Sequence, residues 1–180
     1  MRFLIFQDTQ CGARANNEDR VGYFYTRDAL LMVVADGMGG HNQGEVAAEI
    51  AVEVLSKRFQ NEAKPTLQNP RQFLRDAFFN AHDAIMEYGT GRKLPESPRT
   101  TCVACVVQDG KAYWAHAGDS RLLYFRAGKL AQRTKDHSYV GKLLAMGALR
   151  EDQIAGHPSR NRIFSCLGGN VLPQIELSEE

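Results

Sequence analysis

The sequence predicts an α+β fold, and three observations along the chain support that class. Strand-like apolar runs come first, at residues 21–26 and 30–35. Two long stretches with helical spacing follow, at 42–60 and 71–88. Four more strand-like runs then come in close succession. Because short turns rather than helices join the late strands, we expect antiparallel pairing.

Both helical stretches have an apolar stripe along one side. In the first, the predicted buried face consists of Val46, Ile50 and Val54, with Ala47, Ala51 and Leu55 beside them. Asn42 and Glu45 form a capping pair at its start. In the second, which Pro70 introduces, the buried face consists of Leu74, Phe78, Ala81 and Ile85. We expect these residues to form the core.

Turn signals divide the late strands into hairpins. The runs at 102–107 and 111–117 flank Asp109-Gly110, and those at 122–126 and 129–133 flank Ala127-Gly128. Cys102 and Cys105 fall three apart in one strand and so point to opposite faces, which does not suit a shared metal ion. All four cysteines, which include Cys11 and Cys166, are predicted to be buried free thiols.

Length and composition indicate one globular domain over residues 1–180. The chain is 43% hydrophobic and 24% charged, as is ordinary for such a domain. A formal net charge of +1 favours neither nucleic acid nor an anionic membrane as a partner. No apolar run is long enough to span a membrane, and the first residues are too polar for a signal peptide. We expect a cytoplasmic monomer.

The segment 36–41, Asp-Gly-Met-Gly-Gly-His, ends a strand and is the most informative feature. A carboxylate at a strand exit, followed by glycines that let backbone oxygens approach a ligand, suits a hard metal ion. A dinucleotide-binding pattern fails because Asn42 stands at its last glycine position. A phosphate-binding loop fails because Glu45 replaces its lysine. An ordinary Asp-Gly turn is the open alternative.

Other acids reinforce the metal interpretation. Glu18 and Asp19 are adjacent at a strand entry, where they repel each other unless a cation offsets them. Arg14 could present a planar fork to phosphate oxygens. Asp119 follows Gly118 at a strand junction. The alternatives are a solvated turn for the first group and a hairpin turn for the second. For the segment 134–138, an N-terminal cap of the helix predicted at 139–146 is favoured over a site.

Together these motifs resemble the protein phosphatase 2C family of metal-dependent serine/threonine phosphatases, in its bacterial branch. The resemblance extends to about Leu177. The matching segments are Arg-Ala-Asn-Asn-Glu-Asp at 14–19, the segment 36–41 with Gly-Glu at 44–45, Thr-Thr at 100–101, Gly-Asp-Ser-Arg at 118–121, Asp-His-Ser at 136–138, His-Pro-Ser-Arg-Asn at 157–161 and Leu-Gly-Gly at 167–169. Several ordered motifs are far more specific than one.

The resemblance implies a fold of two antiparallel sheets packed face to face between helix pairs. It also implies hydrolysis of phosphoserine and phosphothreonine in proteins by a metal-activated water, in opposition to a kinase. Two Mn²⁺ or Mg²⁺ ions are expected, with Asp36 bridging them and the Gly37 carbonyl on one. Glu18 and Asp19 would contact them mostly through water. Residues outside this ligand set have implied roles too: Arg14 holds the phosphate, and Asp119 helps to bind a third, weaker metal.

Two departures limit this resemblance. Met38 stands where many eukaryotic members have a proton-donating histidine, so the candidates for the general acid are His41 and a metal-bound water. The open alternative for His41 is a residue at the helix entrance without a catalytic role. The family's later Ser-Asp-Gly and Asp-Asn segments do not occur in the 180 residues, so the domain is expected to be incomplete at its C-terminus. The chain alone is then expected to bind metal weakly and hydrolyse little. The alternatives are a phosphoprotein-binding module without turnover and an inert, self-associating fragment.

Overall fold

An antiparallel sheet forms the centre of the computed structural model, which describes residues 2–39 and 43–178. The elements in chain order are β1 (Asp19–Tyr25), β2 (Ala29–Met38), α1 (Gln43–Glu62), α2 (Pro70–Gly91), β3 (Arg99–Thr100), β4 (Cys102–Gln108), β5 (Lys111–Ala117), β6 (Leu123–Arg126), β7 (Lys129–Arg133), α3 (Tyr139–Ala145), a 3-10 turn (Glu151–Gln153) and β8 (Glu176–Leu177). The main sheet has the order β1-β2-β4-β5-β8, with β3 on the end of β2, and β6 pairs with β7. The predicted α+β class is confirmed.

Side chains alternate between the two faces of this sheet. Along β2, Leu31 and Val33 point towards α1 and α2 and are at most 2% exposed, whereas Val34 between Val33 and Ala35 is 42% exposed. Tyr23 and Tyr25 of β1 pair with Met32 and Leu30, so they share the face of Val34. Their rings are also exposed. One face is therefore the core and the other is only partly covered.

Helix α1 packs against both the sheet and α2, and its predicted face is confirmed. Ala47, Ala51 and Leu55 are fully buried, and Val46, Ile50 and Val54 beside them are half-buried. Small alanines let α1 approach both neighbours closely, so the alanine side of this face makes the tightest contact. The predicted capping pair of α1 involves Asn42, which lies outside the described residues.

Helix α2 follows the prediction closely. Its predicted face is fully buried at all four positions, Leu74, Phe78, Ala81 and Ile85. The helix begins at Pro70 because Asn69 caps it: the Asn69 side chain accepts the backbone N–H of Gln72 at 3.0 Å. The apolar stripe and the start signal therefore located this helix correctly.

The predicted hairpins are confirmed. β4 pairs with β5 through Asp109-Gly110, and β6 pairs with β7 through Ala127-Gly128. Both residues of each turn have positive φ, between 51° and 75°. Turns with two positive φ angles match the right-handed twist of the strands they join. Glycine adopts a positive φ without strain, which is why Gly occupies the second position of both turns.

The cysteines are free, as predicted, but they are not all buried. Cys102 lies in the helix-facing core, and Cys105 lies on the opposite face, where its partners are Met32 and Trp114. Burial raises the pKa of the Cys105 thiol to about 12, so that thiol stays protonated. Cys11 is exposed in the segment before β1, so its predicted burial is wrong. Among the described residues, no helix is long and apolar enough to cross a membrane.

Candidate metal and phosphate site

The pairing of β1 with β2 brings two predicted acids side by side. Asp19 is the direct partner of Asp36 in the ladder, so both carboxylates leave the sheet on the same face. Glu18 precedes β1, and its carbonyl accepts the N–H of Gly37 at 3.2 Å. Both strands thus end where acidic side chains and backbone carbonyls meet.

Two glycines let α1 begin directly against this strand end. A Cβ on Gly37 would lie 2.7 Å from the Glu18 carbonyl and closer still to the Gly44 carbonyl. A Cβ on Gly44 would lie 2.6 Å from the Met38 nitrogen and 2.9 Å from Oε2 of Glu18. Neither approach is possible for a residue with a side chain. Gly37 and Gly44 therefore allow the Glu18 carboxylate to lie against the first turn of α1.

The electrostatics show that the acids act on one another. The pKa of Asp36 is raised from 3.8 to about 6, first by burial, then by the negative charge of Asp19, with which it also shares a hydrogen bond. Asp119 raises it further, and only the positive charge of Arg14 lowers it. The carboxylates predicted from three separate segments are thus brought into one electrostatic environment. Such a site favours a cation, because a positive charge offsets their repulsion.

Asp119 reaches the site from the junction after β5. β5 and β6 do not pair, so this junction is not the hairpin turn that the sequence left open. Gly118 has φ +116°, and a Cβ there would lie 2.6 Å from the Cβ of Thr101, so only glycine fits. Burial raises the pKa of Asp119, and the charge of Asp136 adds to the rise. The Asp136 carboxylate itself accepts hydrogen bonds from Nε and Nη2 of Arg121, at 2.7 and 2.6 Å.

Thr101 and Ser120 belong to motifs of the family resemblance but received no predicted role, and they connect the Asp36 and Asp119 segments. The backbone N–H of Asp36 donates to the Thr101 hydroxyl at 3.2 Å, and the Thr101 N–H donates to the Asp36 carbonyl at 2.9 Å. The Thr101 and Ser120 hydroxyls are 2.6 Å apart. These bonds tie the backbone of Asp36 to the Asp119 loop. No spacing pattern signals a contact across 65 residues; only the Thr-Thr pair in the resemblance pointed there.

Arg14 lies near these acids and remains exposed. Its charge lowers the pKa of Asp36, which requires proximity. Its backbone N–H donates to the Cys11 carbonyl at 3.3 Å, which closes a turn before β1. The structure thus brings Asp36, Asp19, Asp119 and Arg14 together, with Glu18 and Gly37 alongside. His41 lies outside the described residues, so its predicted role stays a prediction.

A second group, His116, His137 and Glu176, has potential ligand atoms within 4.8 Å of one another. Nε2 of His116 must carry a proton, because it lies 2.7 Å from the Lys135 carbonyl. Nδ1 of His137 accepts the Gly118 N–H, so its own proton is on Nε2, the atom nearest Glu176. The rings are stacked 4.4 Å apart, which leaves the in-plane nitrogen lone pairs side by side rather than convergent.

This histidine pair therefore anchors a loop rather than a metal. Both backbone groups of Gly118 bond to His137, the N–H to Nδ1 and the carbonyl to the His137 N–H at 3.0 Å. Burial and the neighbouring His116 lower the pKa of His137, which keeps it neutral. The favoured role of the adjacent Ser138 is confirmed, because its hydroxyl accepts the Gly141 N–H at the start of α3. The resulting rigid turn is the one that carries Asp119.

The donor set at Asp36 suits hard divalent cations. Its groups are carboxylates and backbone carbonyls, and Asp36 is a half-buried acid with unfavourable acidic neighbours. Oxygen ligands of this kind are those that Mg²⁺ and Mn²⁺ prefer, whereas Zn²⁺ favours nitrogen and sulfur. The residues present therefore fit the implied ions.

Comparisons with known proteins agree with this geometry. The family described as protein phosphatase 2C matches residues 8–159. The serine/threonine phosphatase stp of Listeria welshimeri is 34% identical over 157 residues, which are 86% of this chain and 62% of that protein. The crystal structure of Stp1 from Staphylococcus aureus superposes with a TM-score of 0.85 at 31% identity, over 96% of this chain and 68% of that one.

A further structure is the catalytic domain of the phosphatase PstP in complex with two manganese ions. Its TM-score is 0.75 at 29% identity, over 92% of this chain and 67% of that one. The chain spans about three fifths of the length of the curated relatives it matches, 62% in the case of the Listeria welshimeri protein. With the family match over most of its length, the chain belongs to the protein phosphatase 2C family of serine/threonine phosphatases.

Proposed function

We propose that this protein hydrolyses phosphoserine and phosphothreonine in proteins with the help of Mn²⁺ or Mg²⁺. The observation that carries the proposal is the convergence of acids on Asp36, whose pKa is raised to about 6, beside an exposed arginine. Family membership supports the reaction class. The two manganese ions of the PstP structure support the choice of metal.

In this proposal Asp36 is the principal metal ligand and the Gly37 carbonyl is a second one. Glu18 and Asp19 act mostly through bound water, and Asp119 helps to hold a third, weaker ion. When bound, the ions would supply Lewis acidity and a water of lowered pKa. To hold a metal ion, Asp36 must keep its position. The two hydrogen bonds between Thr101 and the Asp36 backbone support this role of Asp36 as a ligand.

Arg14 is the proposed phosphate ligand. Its planar guanidinium can donate two parallel hydrogen bonds to phosphoryl oxygens and offset the charge that they carry in the transition state. The leaving seryl or threonyl oxygen needs a proton, which the thioether of Met38 cannot donate. His41 is the proposed donor because it lies three residues further along the same segment.

A second candidate function is a phosphoprotein-binding module with little turnover. The observation in its favour is that residues 1–180 contain no Ser-Asp-Gly or Asp-Asn segment, the two segments in which the resemblance implies further aspartates. Arg14 and the remaining acids would then bind the phosphoprotein, but no nucleophile would be positioned for hydrolysis. In either case we propose a phosphorylated protein as the partner, opposed by a kinase. The cytoplasmic location and the monomeric state stay predictions.

The test is manganese-dependent hydrolysis of a phosphothreonine peptide, with EDTA as the metal-free control. Residues 1–180 are compared with a version continued to the length of the relatives. The longer version should turn over, and Arg14→Ala should lower its kcat/KM by about one to three orders of magnitude, equivalent to about 1.4 to 4 kcal/mol. Arg126→Ala, on the exposed β6–β7 hairpin, is the matched control and should change nothing.

Three outcomes separate the candidates. Little turnover by residues 1–180, with phosphopeptide binding that needs Arg14, supports the second candidate for that chain. Full, EDTA-sensitive turnover by residues 1–180 would mean that the present acids suffice. No hydrolysis by either version, or an unchanged kcat/KM in Arg14→Ala, would contradict the proposed mechanism.

A further inference from the structure

A cavity of about 790 Å³ lies beside the end of β2. Its walls come from Met38, the end of α2, residues 94–99 and the segment 161–172. A second cavity of about 440 Å³ shares residues 94–97 and Arg99 and also includes Gly39 and Gln43. Neither cavity is lined by Asp36 or Arg14. The larger is lined by Met38 and the smaller by Gly39, which follow Asp36 by two and three residues. Both cavities therefore adjoin the site without being part of it.

Arg99 is placed close to Asp36 by the strand register. Arg99 pairs with Met38 in the β2–β3 ladder, and Thr101 bonds to the backbone of Asp36. Arg99 is thus the diagonal neighbour of Asp36, at a Cα separation of about 7 to 8 Å. That separation equals about two residues of extended peptide at roughly 3.3 Å each. A substrate bound at the metal site would bring flanking residues to Arg99.

The charges in the larger cavity favour an anion. Arg99 and Arg162 line it, against the single carboxylate of Glu96. Glu96 is 3.6 Å from Arg99, beyond hydrogen-bond length, and its side chain is 84% exposed. The Arg99 side chain is 47% exposed. An ion pair that long and that exposed contributes little, so Arg99 keeps most of its capacity to bind another anion.

Unsatisfied polar atoms support an occupant of the smaller cavity. Oγ of Ser97 and Oε1 of Gln43 are buried and have no hydrogen-bond partner among residues 2–39 and 43–178. Both residues line that cavity. Leaving a buried polar atom unpaired is costly, and a peptide supplies amide N–H and carbonyl groups that would pair with both. The two cavities together therefore offer an anion ligand and main-chain partners.

We propose that these cavities form a subsite for a second anionic side chain of the substrate, acidic or phosphorylated, about two or three residues from the phosphoresidue, with Arg99 as its ligand. The subsite rests on the proposed function, because the phosphoresidue must be held at Asp36 and Arg14. A carboxylate and a phosphate share the required chemistry, two oxygens that match the guanidinium fork. Phosphate carries the larger charge and binds more tightly.

The test measures affinity for peptides that carry a non-hydrolysable phosphonate in place of phosphothreonine, in the presence of Mn²⁺. Three peptides have Ala, Glu or the non-hydrolysable phosphonate analogue of phosphoserine at the second and third positions on either side. Wild type should prefer Glu over Ala by about fivefold and the phosphoserine analogue over Ala by about tenfold or more. Arg99→Ala should bind all three alike, Arg99→Lys should keep part of the preference, and Arg126→Ala should keep all of it. Added salt should weaken the preference.

Equal preferences in wild type and Arg99→Ala would overturn the subsite. Failure of the proposed function has a separate signature, namely no binding of the alanine-flanked phosphonate peptide and no effect of Arg14→Ala. In that case an NMR titration with a non-phosphorylated acidic peptide decides the matter. A shift of the Arg99 Nε–H resonance would support the anion site, and an unmoved resonance would overturn it.

Discussion

The two faces of the main sheet use the same strands for opposite purposes. On the face towards α1 and α2, side chains such as Leu31 and Val33 are almost fully buried among apolar partners. On the other face, Asp19 and Asp36 lie side by side at one end, and Tyr25 and Val34 are exposed further along. Along one strand, residues that face the helices therefore stabilise the fold, and residues that face the other way include the charged ones.

This difference shows where stability and function lie. The helix-facing side gains free energy by removing apolar area from water. The site side opposes folding at neutral pH, because the half-buried Asp36 must ionise beside Asp19. A cation at the site would offset that cost, so the acids are better explained by binding than by folding. Substitutions on the two faces should therefore differ in size and in sign.

The largest effect is expected on the helix-facing side. Phe78 is fully buried on α2, so Phe78→Ala removes its contacts and leaves a cavity. We expect a loss of about 3 to 5 kcal/mol of unfolding free energy. Urea denaturation followed by circular dichroism measures it, and Phe78→Leu should lose clearly less. A loss below about 1 kcal/mol would mean that the α2 face is not the core.

Two adjacent valines compare the faces directly. Val33 is 2% exposed towards the helices, and Val34 is 42% exposed on the other face. Replacing either by the isosteric Thr adds one hydroxyl, which costs about 1 to 3 kcal/mol where it is buried without a partner. Val34→Thr should stay within about 0.5 kcal/mol of wild type. Equal losses for the two variants in urea denaturation would contradict the assigned strand register.

A change of the opposite sign is expected for Asp36→Asn. Without metal, this variant should be more stable than wild type at pH 8 by about 1 to 2 kcal/mol, after allowance for solvent screening. The pKa of Asp36 lies above its usual value of 3.8, so its ionisation destabilises the folded state as pH rises from 3.8 through about 6.

The advantage of Asp36→Asn should therefore shrink at pH 5, where much of the wild-type carboxyl is protonated. Thermal unfolding in EDTA at both pH values measures this change. A variant that is less stable than wild type at pH 8 would show that Asp36 has a structural role instead.

Local patterns in the sequence predicted the elements and the identity of the acids. The apolar stripe of α2, its start at Pro70 and the two hairpin turns depend on neighbouring residues, and the structure confirms them. Asp36 and Asp119 stood out because each precedes or follows a glycine at a strand end. Such signals are readable because turns and helix caps are formed within a few residues.

Contacts between distant segments were not predictable in this way. β3 has only two residues, too short for any periodic pattern, yet its pairing with β2 places the next residue, Thr101, against the backbone of Asp36. The bonds of His137 to Gly118 also join separate segments. Within the predicted face of α1, the contacts with the sheet and with α2 decide which residues are covered most completely. Tertiary packing overrides local preference in each case.

The most direct test of the central claim is Mn²⁺ binding by residues 1–180 in wild type and Asp36→Asn. Water-proton relaxation or electron paramagnetic resonance detects even weak binding of this ion. Asp109→Asn is the matched control, because Asp109 lies at the far hairpin turn with φ +52°, which Asn tolerates. We predict weak binding in wild type, an unchanged affinity in Asp109→Asn and a loss of at least about tenfold in Asp36→Asn, because the principal carboxylate ligand is removed. Equal Mn²⁺ binding by wild type and Asp36→Asn would contradict the assignment of this strand end as a metal centre.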